Sequence, residues 1–172
     1  MIASGARSIG DGRVRLREIT PNDASRLYAW RTDPATRPFF RSTAEVPYAD
    51  HLALLESYFR PDNRDRWFVI EEDERPVGAI ALYRFSESGE AAEWGRFVIE
   101  PSARGRGLGG QALGLLIDHA RACGLLRLRC EVLTTNRAAL GLYLRLGFQP
   151  RREEVHLERT FTILELDLAK EP

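Results

Sequence analysis

Two hydrophobic periods divide the chain. A period of two, rich in β-branched and aromatic residues, predicts strands at about 13–19, 66–72, 76–84, 91–99, 127–133, 147–154 and 159–168. Between them a period near 3.6 predicts four helices. The first, about 20–31, opens with Thr20-Pro21-Asn22-Asp23, which offers a capping hydroxyl, a proline at the first helical position and an acid near the positive end of the helix dipole. It stops before Pro34. The second, about 48–59, sets Leu52, Leu55 and Phe59 on one face. The third, about 107–122, repeats Leu113, Leu116, Ile117 and Ala120 at i, i+3, i+4 and i+7, with Gly124 placed for a left-handed cap. The fourth, about 137–146, stacks Ala139, Leu142, Tyr143 and Leu146 and ends at Gly147.

The order β-α-α-β-β-β-α-β-α-β-β predicts a mixed α/β (α+β) fold: a central, mostly antiparallel sheet of about seven strands flanked by four helices. A doubly wound nucleotide fold would alternate strand and helix from its start. At 172 residues, with no internal repeat or long linker, one domain spanning 1–172 is expected, its Gly- and Ser-rich residues 1–12 flexible.

Composition narrows the function by exclusion. The 25 basic and 25 acidic side chains cancel and no block of one sign stands out, so nothing draws the chain to nucleic acid. No apolar run approaches the ~18 residues of a membrane span, and residues 1–12 lack the apolar core of a signal peptide, so no membrane and a cytoplasmic location are expected. Cys123 and Cys130 form no C-x-x-C and need no disulfide in a chain this long, which suits a reducing compartment. His51, His119 and His156 share no ligand spacing, so no metal is expected.

The chemistry concentrates in Arg104-Gly-Arg-Gly-Leu-Gly-Gly110, between a strand and a helix. A glycine loop at a helix N-terminus is an anion site, because backbone N–H groups are unpaired there and the dipole adds about half a positive charge. Two templates fit. As G-x-G-x-x-G (Gly105, Gly107, Gly110) the loop would bind a dinucleotide, but Pro101-Ser102-Ala103-Arg104 separates it from the strand, and the nearest suitable acid, Glu131, comes late and inside a strand. As R-x-x-G-x-G (Arg104, Gly107, Gly109) it would bind the pyrophosphate of an acyl-coenzyme A. A phosphate loop is excluded, since no lysine follows the glycines.

Phe97-Val-Ile-Glu-Pro-x-x-Arg-Gly-Arg-Gly-Leu-Gly109, followed by Asn136-x-x-Ala139-x-x-x-Tyr143-x-x-x-Gly147-Phe148, resembles the GNAT superfamily of N-acetyltransferases, and the element order from Val14 to Leu168 is similar too. The resemblance implies acetyl-coenzyme A as donor and a primary amine as acceptor. It places the pyrophosphate at Arg104, Gly105, Arg106, Gly107, Leu108 and Gly109, the glycines letting the backbone approach and the arginines adding bonds to the outer oxygens. It lays the pantetheine arm along Phe97, Val98 and Ile99 as an extra strand, in a slot where strand 91–99 splays from strand 127–133. A backbone N–H near Phe97 or Val98 then holds the carbonyl oxygen as it turns negative.

In the same resemblance Tyr143 takes the place of the general acid that protonates the departing sulfur. Glu93 is the expected base, because strict alternation puts it on the face of Gly95, Phe97 and Ile99, whereas one bulged residue would turn it away. Asn136 is read as a cap of the fourth helix, a cofactor ligand, or both. The acceptor is expected at the first two helices, where Trp30-Arg31-Thr32-Asp33-Pro34-x-x-Arg37 resembles the W-R-N-x-P-x-x-R segment of enzymes acting on nucleotide-linked amino sugars, with Thr32 in place of Asn. Trp30 and Arg31 are thus expected substrate contacts. Ribosomal-protein N-termini stand next, and a non-catalytic acyl-coenzyme A sensor is the alternative of another class. The expected partner is a small-molecule or peptide amine, for a monomer or homodimer.

Overall fold

The computed structural model describes residues 8–10 and 12–169. Its strands are β1 (Ser8–Ile9), β2 (Val14–Glu18), β3 (Arg66–Glu72), β4 (Arg75–Tyr83), β5 (Ala91–Ile99), β6 (Arg127–Leu133), β7 (Gln149–His156) and β8 (Arg159–Asp167), and its helices α1 (Ala24–Thr32), α2 (Tyr48–Tyr58), α3 (Leu108–Ala122) and α4 (Arg137–Arg145). The strands form one sheet in the order β1-β2-β3-β4-β5-β6-β8-β7, antiparallel throughout except for β5 and β6. The eighth strand beyond the seven expected is β1, whose Ser8 and Ile9 pair with Arg17 and Leu16 and are too few to show a period. The flexibility expected for residues 1–12 otherwise falls at 1–7 and 11, outside the described residues. Among the described residues no helix is long and apolar enough to cross a membrane.

The expected first helix begins later than its sequence cap. Pro21–Asp23 makes a single 3-10 turn, and α1 starts at Ala24. The Asp23 carboxylate accepts the Thr20 N–H at 2.8 Å and two Arg17 guanidinium bonds at 3.0 Å, so it ties the turn to β2.

Each face of the sheet carries its own apolar cluster. On one, Ala112, Leu113, Leu116 and Ala120 of α3 and Tyr143 of α4 bury against Leu16, Phe68, Ile80 and Leu128. On the other, Leu27 and Trp30 of α1 and Leu55 of α2 cover Trp67, Val69, Ala79 and Val98. At ~1.5–3 kcal/mol per large side chain removed from water, these clusters anchor the helices to opposite sides.

Two irregularities of β5 build the site. Ala79 pairs with Val98 and Ala81 with Gly95, so Arg96 and Phe97 together oppose Ile80. This bulge puts Arg96 in the left-handed region (φ 47°), an unfavoured place for a side chain, and reverses the alternation around it. Glu93 and Gly95 therefore share the α1/α2 face with Val98, while Phe97 packs against Trp94 on the α3/α4 face. The common face expected for Glu93, Phe97 and Ile99 is corrected accordingly. Second, β5 and β6 pair only at Ala91–Glu93 with Arg127–Arg129, then separate. α3 is the crossover that a parallel pair requires, and β6 continues on β8 alone.

Candidate active site

A cavity of about 780 Å³ runs through the gap between β5 and β6, lined by residues from both faces of the sheet. Its α3/α4 side ends at the glycine loop. Gly107 caps α3 in the left-handed conformation (φ 77°), and no side chain caps the helix. The first N–H groups of α3 thus lack intrahelical partners and open toward the cavity wall formed by Gly105, Gly107, Leu108 and Gly109. A Cβ at Gly105 would meet nothing within 4 Å, and one at Gly107 only the Gln111 side-chain nitrogen at 3.9 Å. That open space beside free N–H groups fits a pyrophosphate. Gly109 serves packing: a Cβ there would lie 3.1 Å from the Phe97 ring, so its absence lets α3 seat on β5.

The two loop arginines are held by the protein itself. Arg104 donates to the Ile99 carbonyl at 2.9 Å, to the Ala35 carbonyl at 3.2 Å and to the Thr36 hydroxyl at 2.8 Å, which fastens the loop to the segment after α1. Arg106 pairs with Glu72. Both arginines thus have protein partners beside the loop, and Arg104 also lines the cavity. An exposed cation that sequence reasoning passed over, Arg145 of α4, lines the same cavity and has no hydrogen bond or ion pair among the described residues.

Asn136 caps α4 by accepting the Ala139 N–H at 3.3 Å, and it also lines the cavity. Two turns beyond the cap, Tyr143 is 5% exposed and meets Trp94 edge-on with ring centroids 4.9 Å apart. Burial, with smaller effects of Cys130 and Tyr83, pushes its phenol well above the ordinary range. The hydroxyl stays protonated at neutral pH. It lines the cavity with no hydrogen-bond partner among the described residues, so its proton is free for a ligand atom.

Across the gap the wall is charged and aromatic. Arg31 lines it, donating to the Ser42 carbonyl at 2.8 Å and resting 4.3 Å from the centre of the Phe40 ring. Its other terminal nitrogen is buried without a hydrogen bond. Burial first, and then Arg37, lower the Arg31 pKa, so this cation sits in surroundings that favour an added anion. Trp30 lies instead in the core under α1, 7% exposed, and is not part of the cavity wall. The 3.6 period explains the difference, since adjacent helical residues point about 100° apart.

Glu93 is also outside the wall, its carboxylate 3.0 Å from Arg84. The wall's own carboxylate at the gap is Glu131, paired with Arg41. Near it Tyr83, whose phenol is pushed up to about 12 by burial and then by Glu93, rests its hydroxyl against Gly95, where a Cβ would lie 2.4 Å away. No sequence signal marked Arg41 or Tyr83, because an arginine in a loop and a tyrosine in an apolar strand have ordinary readings.

The acetyltransferase (GNAT) family model matches residues 24–148. Acetyltransferase Pat of Mycolicibacterium smegmatis is 31% identical over 149 residues, which cover 84% of this chain and 44% of that protein. The chain spans less than half the length of the first curated relatives it matches. Among solved structures, a spermidine N-acetyltransferase from Vibrio cholerae in complex with CoA and spermine superposes with a TM-score of 0.84 at 17% identity, covering 93% of this chain and 98% of that one. RimL, a ribosomal-protein alpha-N-acetyltransferase, superposes at 0.79 with 14% identity, covering 94% of each chain. At these identities the likeness of structures concerns the fold.

Proposed function

The chain belongs to the GNAT acetyltransferase family, and from that premise we propose that it moves an acetyl group from acetyl-coenzyme A to a primary amine carried by an anionic acceptor such as an amino-sugar nucleotide. The observation that carries this reading is the continuous cavity, with unpaired helix N–H groups on one face of the sheet and an arginine-lined mouth on the other. The free thiols Cys123 and Cys130 accord with a reducing cytoplasm.

Acetyl-coenzyme A supplies an activated thioester. The backbone N–H groups of Gly105, Gly107, Leu108 and Gly109 hold the pyrophosphate, and Arg145 adds a charged donor at the rim. The parting of β5 from β6 after Glu93 frees the edge at Phe97, Val98 and Ile99 for the amides of the pantetheine arm, and an N–H of Phe97 or Val98 stabilises the carbonyl oxygen. Tyr143 shares its proton with the sulfur as the C–S bond breaks. Burial keeps that proton on the phenol at neutral pH, so the hydroxyl stands ready as a hydrogen-bond donor to the sulfur as its negative charge grows. The unpaired Arg31 nitrogen receives an acceptor carboxylate or phosphate, which sets this mouth apart from one suited to polyamines.

A peptide N-terminus is the second reading, favoured by the likeness to RimL and by the parting strand edges. Free-thiol release across amino-sugar nucleotides, short peptides and polyamines, alongside thermal shift with acetyl-coenzyme A, tests the proposal. Turnover greatest with an anionic acceptor is expected. Tight donor binding with no turnover on any amine would overturn it in favour of a sensor.

A further inference from the structure

Glu131 and Arg41 occupy a place that the geometry singles out. β5 and β6 make their last pair at Glu93 and Arg129, which point to the α1/α2 face. The next residues on that face are Gly95 and Glu131. Gly95 has no side chain and the Tyr83 hydroxyl lies over it, so the Glu131 carboxylate is the first charged group on that face beyond the parting strands. A guanidinium lies there now. Arg41 reaches in from the loop between α1 and α2 and pairs with Glu131, with Glu154 3.8 Å from the same terminal nitrogen and the Phe161 ring centre 5.8 Å from its carbon.

That loop is strapped over the cavity by side chains rather than by backbone pairing. Arg159 donates to the carbonyls of Pro38 and Phe40, Arg31 to that of Ser42, and Arg104 to that of Ala35. Arg41 is 42% exposed and Glu131 34%, so their ion pair is screened by water and weak enough for another cation to displace.

We propose that Glu131 is the receptor for the acceptor's ammonium group and that Arg41 is a built-in cation that holds this place until an acceptor displaces it. The inference rests on the acetyltransferase reading. Once the exchange has occurred, Glu131 takes one proton from R–NH3+, leaving R–NH2 and a protonated carboxyl that returns its proton to water. The nitrogen lone pair forms the C–N bond, the C–S bond breaks with its electron pair on sulfur, and the thiolate gains a proton from the Tyr143 hydroxyl, which is restored by the second amine proton through solvent. The net products are the amide, the thiol and one released proton.

The test uses the full chain with 13C-labelled glutamate carboxyls and methylammonium as probe. In the Arg41→Ala variant the Glu131 carboxyl signal should shift with methylammonium, saturating at lower concentration than in the wild type. The charged and titratable groups around that carboxylate (Arg41, Glu154, Tyr83 and Arg84, with Glu93 and Arg129 paired beyond them) stay the same in both proteins except at position 41. In turnover, Arg41→Ala should lower the KM for the amine by about two- to fivefold, the equivalent of releasing a half-exposed ion pair, without raising that for acetyl-coenzyme A. Glu131→Gln should lower kcat/KM for the amine by ~10²-fold or more and abolish the acidic limb of its pH profile. Equal methylammonium responses in wild type and Arg41→Ala, or an unchanged amine KM in Arg41→Ala, would overturn the proposal while leaving acetyl transfer intact. A methylammonium site without acetylation of any amine would instead sink the acetyltransferase reading alone.

Discussion

The two faces of the sheet solve different recognition problems with different materials. On the α3/α4 face the binding groups are backbone N–H groups at one uncapped helix start, set by a short run of glycines. On the α1/α2 face the loop over the cavity is held instead by long side chains, Arg41, Arg104 and Arg159, that reach between elements far apart in sequence, with Arg31 beside them. Backbone donors suit a ligand whose pyrophosphate never changes, since their direction is fixed by the helix. Arginine side chains can be rearranged without touching the fold, which suits a face whose ligand differs from one relative to the next.

The largest effect expected on this contrast comes from Gly107→Val. The protein has room for the new side chain, but the left-handed backbone at φ 77° disfavours it by roughly 1–2 kcal/mol, and the branched Cβ stands where the phosphate approaches. Calorimetry should find acetyl-coenzyme A binding lost, and binding that survives in a folded variant would break the donor assignment. Tyr143→Phe should lower turnover by ~10²–10⁴-fold with donor affinity unchanged, less so for a thioester with a more acidic thiol. Wild-type turnover in this variant would make the ring a packing residue and water the acid.

On the other face, Trp30→Ala is expected to destabilise the protein by about 3–5 kcal/mol in urea unfolding, because a buried indole leaves a large cavity. The folded fraction should keep its KM for the amine; a raised KM without lost stability would return Trp30 to the substrate side. Arg31→Ala should raise the KM for an anionic acceptor by roughly ten- to 150-fold, the worth of one charged hydrogen bond, and leave that for acetyl-coenzyme A unchanged. Arg31→Lys should recover part of the loss. Equal effects on both substrates would show that the arginine only holds Ser42.

The smallest effect concerns acid stability. Burial pushes the Asp23 carboxyl up, but bonds from Arg17 and Thr20 outweigh it and leave the pKa below the usual aspartate value. Glu71 is lowered in the same way, with Arg17 and Arg15 overcoming burial. A carboxyl that binds its proton less tightly when folded stabilises the fold above its unfolded pKa, near ~4, and that contribution disappears as pH falls through the lower folded value. Urea midpoints should hold steady from neutrality to about pH 5 and drop below about pH 4. Asp23→Asn should be less stable at neutral pH and lose less on acidification; an unchanged pH slope would remove Asp23 from this role.

Much of the donor face was legible in the chain because its information is local. The period of α3, the glycines before it and the cap-to-tyrosine spacing of α4 all lie within single elements, so Asn136 capping Ala139 and Tyr143 facing inward follow from helix geometry. The strands followed from alternation as far as alternation held. It failed at Arg96, where nothing in Trp94-Gly-Arg-Phe-Val98 specifies which residue the ladder will skip, and with it failed the placing of Glu93. Trp30 lies in the core while its neighbour Arg31 lines the cavity, and a motif does not say which way a helix turns.

What the sequence determined by itself was the order of seven strands and four helices and the place of the glycine loop before α3, because helix period, strand alternation and helix starts depend only on near neighbours. Tertiary structure decided the rest: the bulge that sends Phe97 and Glu93 to opposite faces, the capture of Arg104 and Arg106 by Thr36 and Glu72, and the meeting of Arg41 with Glu131 across 90 residues of chain. Those outcomes depend on which long side chains arrive within reach of one another. That is a property of packing among distant segments, and a linear pattern does not contain it.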